Sequence, residues 1–228
     1  MSAYPPPDRS SHERAPGHLP DPRPPREPIL RVPPATGWLI AINLAVHLAR
    51  LLLSSDQDDV VVNALGFDPA SLSGPADWLA VLSLVTYQFL HGSWAHLGIN
   101  MITLLALGPG VERPLGQTRF LVIYLLSGIA GAVLQGVFTP NSDDLMVGAS
   151  ASISGIFGAL LVIWGLYRRG RQPIGLLPMT LLWISLMAIT GITGMGAEGA
   201  PVAWIAHIGG FLAGMALGGL MRPRPLAP

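Results

Sequence analysis

Three stretches of the chain set hydroxyl, imidazole and carboxamide groups into otherwise apolar sequence. HGSWAHLGIN carries His91, His96 and Asn100; VGASASISG carries Ser150, Ser152 and Ser154; VAWIAHIGGFLAG carries His207. A serine hydroxyl becomes a useful nucleophile when a base takes its proton. A neutral imidazole is the usual base, because its pKa lies near the operating pH. Attack on an amide then creates an oxyanion, which needs donors already in place. His96 and Asn100 are four residues apart, on one helix face, and can donate there together with the backbone N–H of Ser150. The chemistry these types allow is acyl transfer, with Ser150 as nucleophile and His207 as base. No Asp or Glu falls inside an apolar segment to orient His207, so the pair is expected to work as a dyad.

Other uses of the same residues are weaker. A zinc pair on a helix wants two histidines four apart with a glutamate between them, whereas His91 and His96 are five apart with no glutamate. The chain has no cysteine, which removes disulfides and thiolate metal sites. No metal and no cofactor are expected. Ser152 and Ser154 read as packing serines. His91 reads as a loop or helix-start residue at an interface. His47, with Asn43 and Arg50 on the same face, reads as pairing within a helix bundle.

The elements that must hold these groups are membrane helices. Half of the 228 residues are hydrophobic, 11% are charged, and the mean hydropathy is +0.51. A soluble domain carries about a quarter charged residues. Six apolar segments approach the ~20 residues a spanning helix needs: 37–54, 94–111, 119–138, 147–167, 175–195 and 202–221. The expected fold is therefore all-α, a polytopic bundle of six transmembrane helices. Every one of the thirteen basic residues is arginine. With six spans, all of them except Arg50 fall on one side, which the positive-inside rule makes cytoplasmic. Arg50 is expected to snorkel at the outer end of the first span. The opposite loops hold Asp56, Asp58, Asp59, Asp68, Asp77, Asp143, Asp144 and Glu198, and no arginine. Both termini are then inside, and the long stretch near 55–93 is an outer loop, with Trp78 and Trp94 at the membrane interface.

This topology aligns the polar groups. Spans two, four and six enter from the outer side, and His96, Asn100, Ser150 and His207 lie two to six residues below their entry points, within one or two helical turns of each other. Small residues name the faces that meet. Ser150, Ser154 and Gly158 recur every four residues, as do Gly210, Gly214 and Gly218. Such stripes let helices approach closely in lipid, although they are common without chemistry.

The first 35 residues are polar and rich in proline and arginine, with no apolar core for a secretory signal. They are expected to form a disordered cytoplasmic tail, leaving 36–222 as the membrane domain and 223–228 as a short cytoplasmic tail. The formal net charge is zero, so no nucleic acid partner is expected.

At these residues the chain resembles the rhomboid family of intramembrane serine proteases. The resemblance rests on HGSWAHLGINM (91–101), GVERPLGQTRFLVIYLLSGIAG (110–131), VGASASISGIFGA (147–159) and AHIGGFLAG (206–214), and covers all the spans except the first and fifth. It implies that Ser150 is the nucleophile, His207 the base, and His96 and Asn100 the oxyanion-stabilising pair. It implies a bacterial-type six-span protease without cofactor, cleaving single-pass membrane proteins at or beside their transmembrane segment. The active site would open to the outer side of a bacterial inner membrane. The resemblance leaves oligomeric state open. Two departures stand out. Ala151 occupies the last position of the family's Gly-x-Ser-Gly pattern, and Pro114 stands where many members have a basic residue, which bears on how Glu112 pairs. Two rival readings are a catalytically inactive relative that binds membrane clients, and a transporter. The first is opposed by the presence of both Ser150 and His207, and the second by the lack of internal repeats and of midplane charge.

Overall fold

Pro34 opens the first helix at the position where its fixed φ suits the first turn and its missing N–H removes no intrahelical bond. The computed structural model describes residues 32–73, 77–142, 144–167, 176–193 and 203–221. Residues 1–31 of the N-terminal tail, the arginines at 168, 169, 171, 222 and 224, and the C-terminal tail lie outside the described residues, while α1 takes up the last two positions of the stretch read as tail. Helix α1 runs Pro34–Arg50 and buries Leu39, Asn43 and His47, a stripe of period four that faces α4.

The stretch read as one outer loop holds two helices. Ser54 and Gln57 form a reciprocal capping box that starts α2 (Ser55–Leu65), which buries no residue. After a 3₁₀ turn at Pro69–Ser73, the Asp77 carboxylate accepts from Leu79 N–H and starts α3 (Trp78–Thr86), followed by a second 3₁₀ turn at Tyr87–Phe89. Both caps are local sequence signals; the first stands in polar sequence, and the second opens an apolar run of nine residues, too short to span a bilayer. Trp78 and Trp94 are exposed.

Helix α4 (Trp94–Leu115) begins where the Ser93 side chain accepts from His96 N–H, and it continues through Pro109 and Pro114 beyond its expected end. Gly116, at φ 83°, ends it and admits α5 (Gln117–Phe138). Helices α6 (Ser150–Tyr167), α7 (Leu176–Thr193) and α8 (Trp204–Leu220) complete the described fold. Helix α6 is central and packs on α4, α5 and α8. Among the described residues no strand forms, and one isolated bridge pairs Phe67 with Met146. The main core joins Leu97, Leu104, Val111, Ile153, Ile156 and Ile163. The exterior is also apolar: Ile99, Ile102, Val137, Leu182 and Leu220 are exposed. Helices Trp94–Leu115 and Gln117–Phe138 are long and apolar enough to cross a bilayer, while Ser150–Gly165 and Trp204–Leu220 are shorter apolar helices.

Glu112 ties α1 to α4. Its carboxylate accepts from Ala35 N–H (2.8 Å), Thr36 N–H (2.7 Å) and the Thr36 hydroxyl (2.8 Å). These donors belong to the first turn of α1, whose N–H groups have no intrahelical acceptor, and a carboxylate there also meets the positive end of the helix dipole. Pro114 therefore leaves Glu112 fully paired, through α1. Glu112→Ala strips a buried acceptor from three donors and is expected to cost about 3 kcal/mol, read as a lower melting temperature in detergent. An unchanged melting temperature would show that water satisfies this helix end.

Candidate active site

Helix α6 starts at Ser150, so the Ser150 N–H belongs to a first turn without intrahelical acceptors and lies at the positive end of the α6 dipole. The turn before it depends on Gly148, whose φ of +121° disfavours any side chain. A Cβ at Gly148 would also stand 2.7 Å from Cε1 and Nε2 of His96. The His96 ring thus lies directly on the turn that presents Ser150.

The Ser150 hydroxyl and His207 Nε2 are 2.7 Å apart. With the imidazole proton on Nδ1, the hydroxyl donates to Nε2. Ser150 is half-buried and His207 is 9% exposed. His207 Nδ1 is buried and has no hydrogen-bond partner among the described residues.

What holds the pair is the crossing of α6 and α8. Cβ atoms added at Gly210, Gly214 and Gly218 would overlap the backbone of Ala151, Gly155 and Ala159 respectively. The seam on α6 is therefore Ala151, Gly155 and Ala159, one residue on from the expected stripe of Ser150, Ser154 and Gly158. Gly158 of that stripe also packs on α8, where a Cβ would overlap the Phe211 carbonyl oxygen and lie 3.1 Å from Met215 N. Ser150 sits about 100° round from the seam, at its edge, where it reaches His207.

The three serines separate by partner. Ser154 Oγ donates to the Ser150 carbonyl at 2.9 Å within the helix. Ser152 Oγ donates to Gln88 Oε1 at 2.8 Å, on the far side of α6. Only Ser150 meets an imidazole. Asn100 is 5% exposed, and its amide donates to the His96 carbonyl at 2.9 Å, leaving a second N–H for other use. Ala151 is accommodated because its methyl faces α5, where Gly131 has no side chain: a Cβ there would lie 2.9 Å from the Ala151 Cβ.

The structure adds detail to two sequence expectations here. His91 lies in the turn before α4, is fully buried within the protein, and its ring stands edge-on to His96 with centroids 5.1 Å apart. Arg50, expected at the outer end of the first span, has fixed partners. Its guanidinium makes a bidentate pair with Asp58 (2.7 and 2.8 Å) and donates to the His91 carbonyl at 2.8 Å. The hydrogen bonds from Arg50 to its carboxylate hold Asp58 below the ordinary aspartate range. Its contribution to stability is present above the usual aspartate pKa and is lost as pH falls through the lowered value. His47 stacks edge-on to Trp94 at 4.6 Å. With Arg50, Asp58 and His91 these residues line a cavity of about 510 Å³ between α1, α2 and the start of α4. Sequence reasoning missed Gln88. Its signal was an amide inside the apolar run VLSLVTYQFL, the kind of polar residue that needs an internal partner.

The rhomboid domain matches residues 79–224. The chain is similar to RHOMBOID-like protein 4 of Arabidopsis thaliana, 33% identical over 62% of this chain and 34% of that protein. It is 32% identical to rhomboid protease GluP of Bacillus subtilis over 82% of this chain and 35% of that protein. It is 28% identical to rhomboid protease AarA of Providencia stuartii over 77% of this chain and 68% of that protein. The chain thus spans about a third of the length of two of these relatives. The match begins in α3 and takes in α4 to α8, the helices that carry the serine, the two imidazoles and the carboxamide just described. This all-helical chain, an integral membrane helix bundle, belongs to the rhomboid family.

Proposed function

We propose that the chain is an intramembrane serine endopeptidase that cleaves transmembrane segments of membrane proteins with Ser150 and His207. The observation that carries this reading is the 2.7 Å approach of Ser150 Oγ to His207 Nε2 at the first residue of α6. Two relatives named as proteases support it. Ser150 Oγ attacks the scissile carbonyl carbon while Nε2 takes its proton. The oxyanion is met by the Ser150 N–H, by His96 and by the free N–H of Asn100. His207 then gives the proton to the leaving amine, and water, deprotonated at the same nitrogen, hydrolyses the acyl-enzyme.

The proposal includes a membrane domain over 36–222 with six spans, α1 and α4 to α8, both termini in the cytoplasm of a bacterial cell, and single-pass membrane proteins as substrates. The site would open outward, so water reaches Ser150 without crossing lipid. A test is purified protein in detergent with a panel of transmembrane substrates and a fluorophosphonate probe. Cleavage and labelling are expected. The absence of both across the panel would favour a client-binding role.

Orientation is tested separately in the cysteine-free chain. Ser142→Cys, in the loop after α5, is expected to react with an impermeant thiol reagent in intact cells, and Gln117→Cys, exposed at the first residue of α5, is not. The reverse pattern would invert the topology.

A further inference from the structure

The outer segment that ends at Phe89 grips the start of α6 at two points on either side of Ser150. Tyr87 O accepts from Gly148 N–H at 2.9 Å, two residues before it. The Gln88 carboxamide accepts from the Ser152 hydroxyl at 2.8 Å, two residues after it. Gln88 and Ser152 are both wholly buried. The amide orientation is set by its neighbours: Gln88 Nε2 faces the carbonyls of Leu84 (2.9 Å) and Leu125 (3.4 Å), which only accept, so Oε1 must face the hydroxyl. The knot extends into α5. Gly128 has no side chain where one would overlap both Gln88 and Ser152, and its carbonyl accepts from the Tyr87 hydroxyl at 2.8 Å.

Ser152 lies about 200° round α6 from Ser150. A force on Ser152 from Gln88 therefore acts on the back of the helix, opposite the face that meets His207. With the turn before α6 held at Gly148 and the helix itself held at Ser152, rotation and height are fixed at Ser150 between them.

We propose that Gln88 is a positioning residue for the serine chemistry: it sets the rotation of α6 through Ser152, and so holds Ser150 Oγ in line with His207. This rests on the proteolytic reading above. The residue touches neither the dyad nor any reacting atom. It explains why a carboxamide, which offers an acceptor and two donors, stands in an apolar run. It also makes the α3-to-α4 connection part of the machinery that sets the rate.

The test compares Gln88→Met, which keeps length and volume but loses every hydrogen bond, with Ser152→Ala and with the double variant. Rates are expressed per active molecule, from the fluorophosphonate inactivation constant and from kcat and KM on one transmembrane substrate. Gln88→Met is expected to lower kcat and the inactivation rate about ten- to a hundredfold, the penalty for a misplaced reacting group, with KM within about twofold, as for loss of an interaction felt only in the transition state. Ser152→Ala should fall in the same direction, and the double variant should be no worse than Gln88→Met alone, since both break one contact. A role in stability only would lower the melting temperature and the active fraction and leave the rate per active molecule unchanged; that result overturns the proposal. If Gln88→Met fails to fold, Ser152→Ala, which deletes one oxygen, decides: wild-type kcat in that variant overturns it. A wild-type protein that takes no fluorophosphonate would overturn the proteolytic reading itself, whereas labelled wild type with unaffected variants would overturn the role of Gln88 alone.

Discussion

Ser150→Ala is expected to abolish proteolysis and fluorophosphonate labelling together, and His207→Ala to do the same. Without Oγ there is no atom to form the acyl-enzyme. Without Nε2 at 2.7 Å the hydroxyl keeps its proton and remains a weak nucleophile. In serine hydrolases, loss of either member costs on the order of 10⁴-fold or more, and the two losses do not add. The informative control is Ser154→Ala. Ser154 shares an α6 face with Ser150 one turn deeper, but its hydroxyl is spent on the Ser150 carbonyl. Its removal should change stability by no more than about 1 kcal/mol and leave activity measurable. Labelling that survives Ser150→Ala but is lost in Ser154→Ala would move the nucleophile one turn inward and break the proposed dyad.

The helices at 34–50, 94–115, 117–138, 150–167, 176–193 and 204–220 were legible in the sequence because apolar runs of that length leave little else for the backbone to do in lipid. Ser150, His207, His96 and Asn100 were legible as polar exceptions within those runs. Other features were not, for identifiable reasons. Helix α2 is hidden because composition alone reads Asp-rich sequence as loop, and α3 because its nine apolar residues are too few to span a bilayer; the Ser54–Gln57 box and the Asp77 cap mark their starts. The partner of Arg50, Asp58, is eight residues away, and the turn between them cannot be seen in a hydropathy profile. The α6 seam was misread by one residue because serine, alanine and glycine are all small enough for either stripe; register was settled by which backbone atoms face Gly210, Gly214 and Gly218. Glu112 fell at the edge of an apolar segment, and nothing near it in sequence names the α1 N-terminus, some 76 residues earlier, as the group it accepts from.

Gly214→Val is expected to remove most activity while the protein still inserts. A Cβ at Gly214 would overlap the carbonyl group and Cα of Gly155. These are backbone atoms of a packed helix, so no side-chain rotation relieves the clash, and α8 must move away from α6. Overpacking of this kind costs about 1–3 kcal/mol. The larger consequence is geometric. Gly214 is seven residues from His207, about two turns along the same face of α8, so opening the crossing there tilts or lifts the imidazole from Ser150. The present approach of 2.7 Å leaves little room: an added 1 Å breaks the hydrogen bond and can cost a hundredfold in rate. Gly219→Ala supplies the contrast on the same helix. Its Cβ would meet only Val162 Cγ1, at 3.8 Å, an ordinary contact. Activity in that variant should match wild type, since exchanging a helical glycine for alanine changes stability by about 1 kcal/mol at most, in the favourable direction. Both variants would be compared by melting temperature and by cleavage rate per molecule in detergent. Full activity and an unchanged melting temperature in Gly214→Val would show that α6 and α8 do not cross at Gly155 and Gly214, and that the contact between Ser150 and His207 is held by something other than this seam.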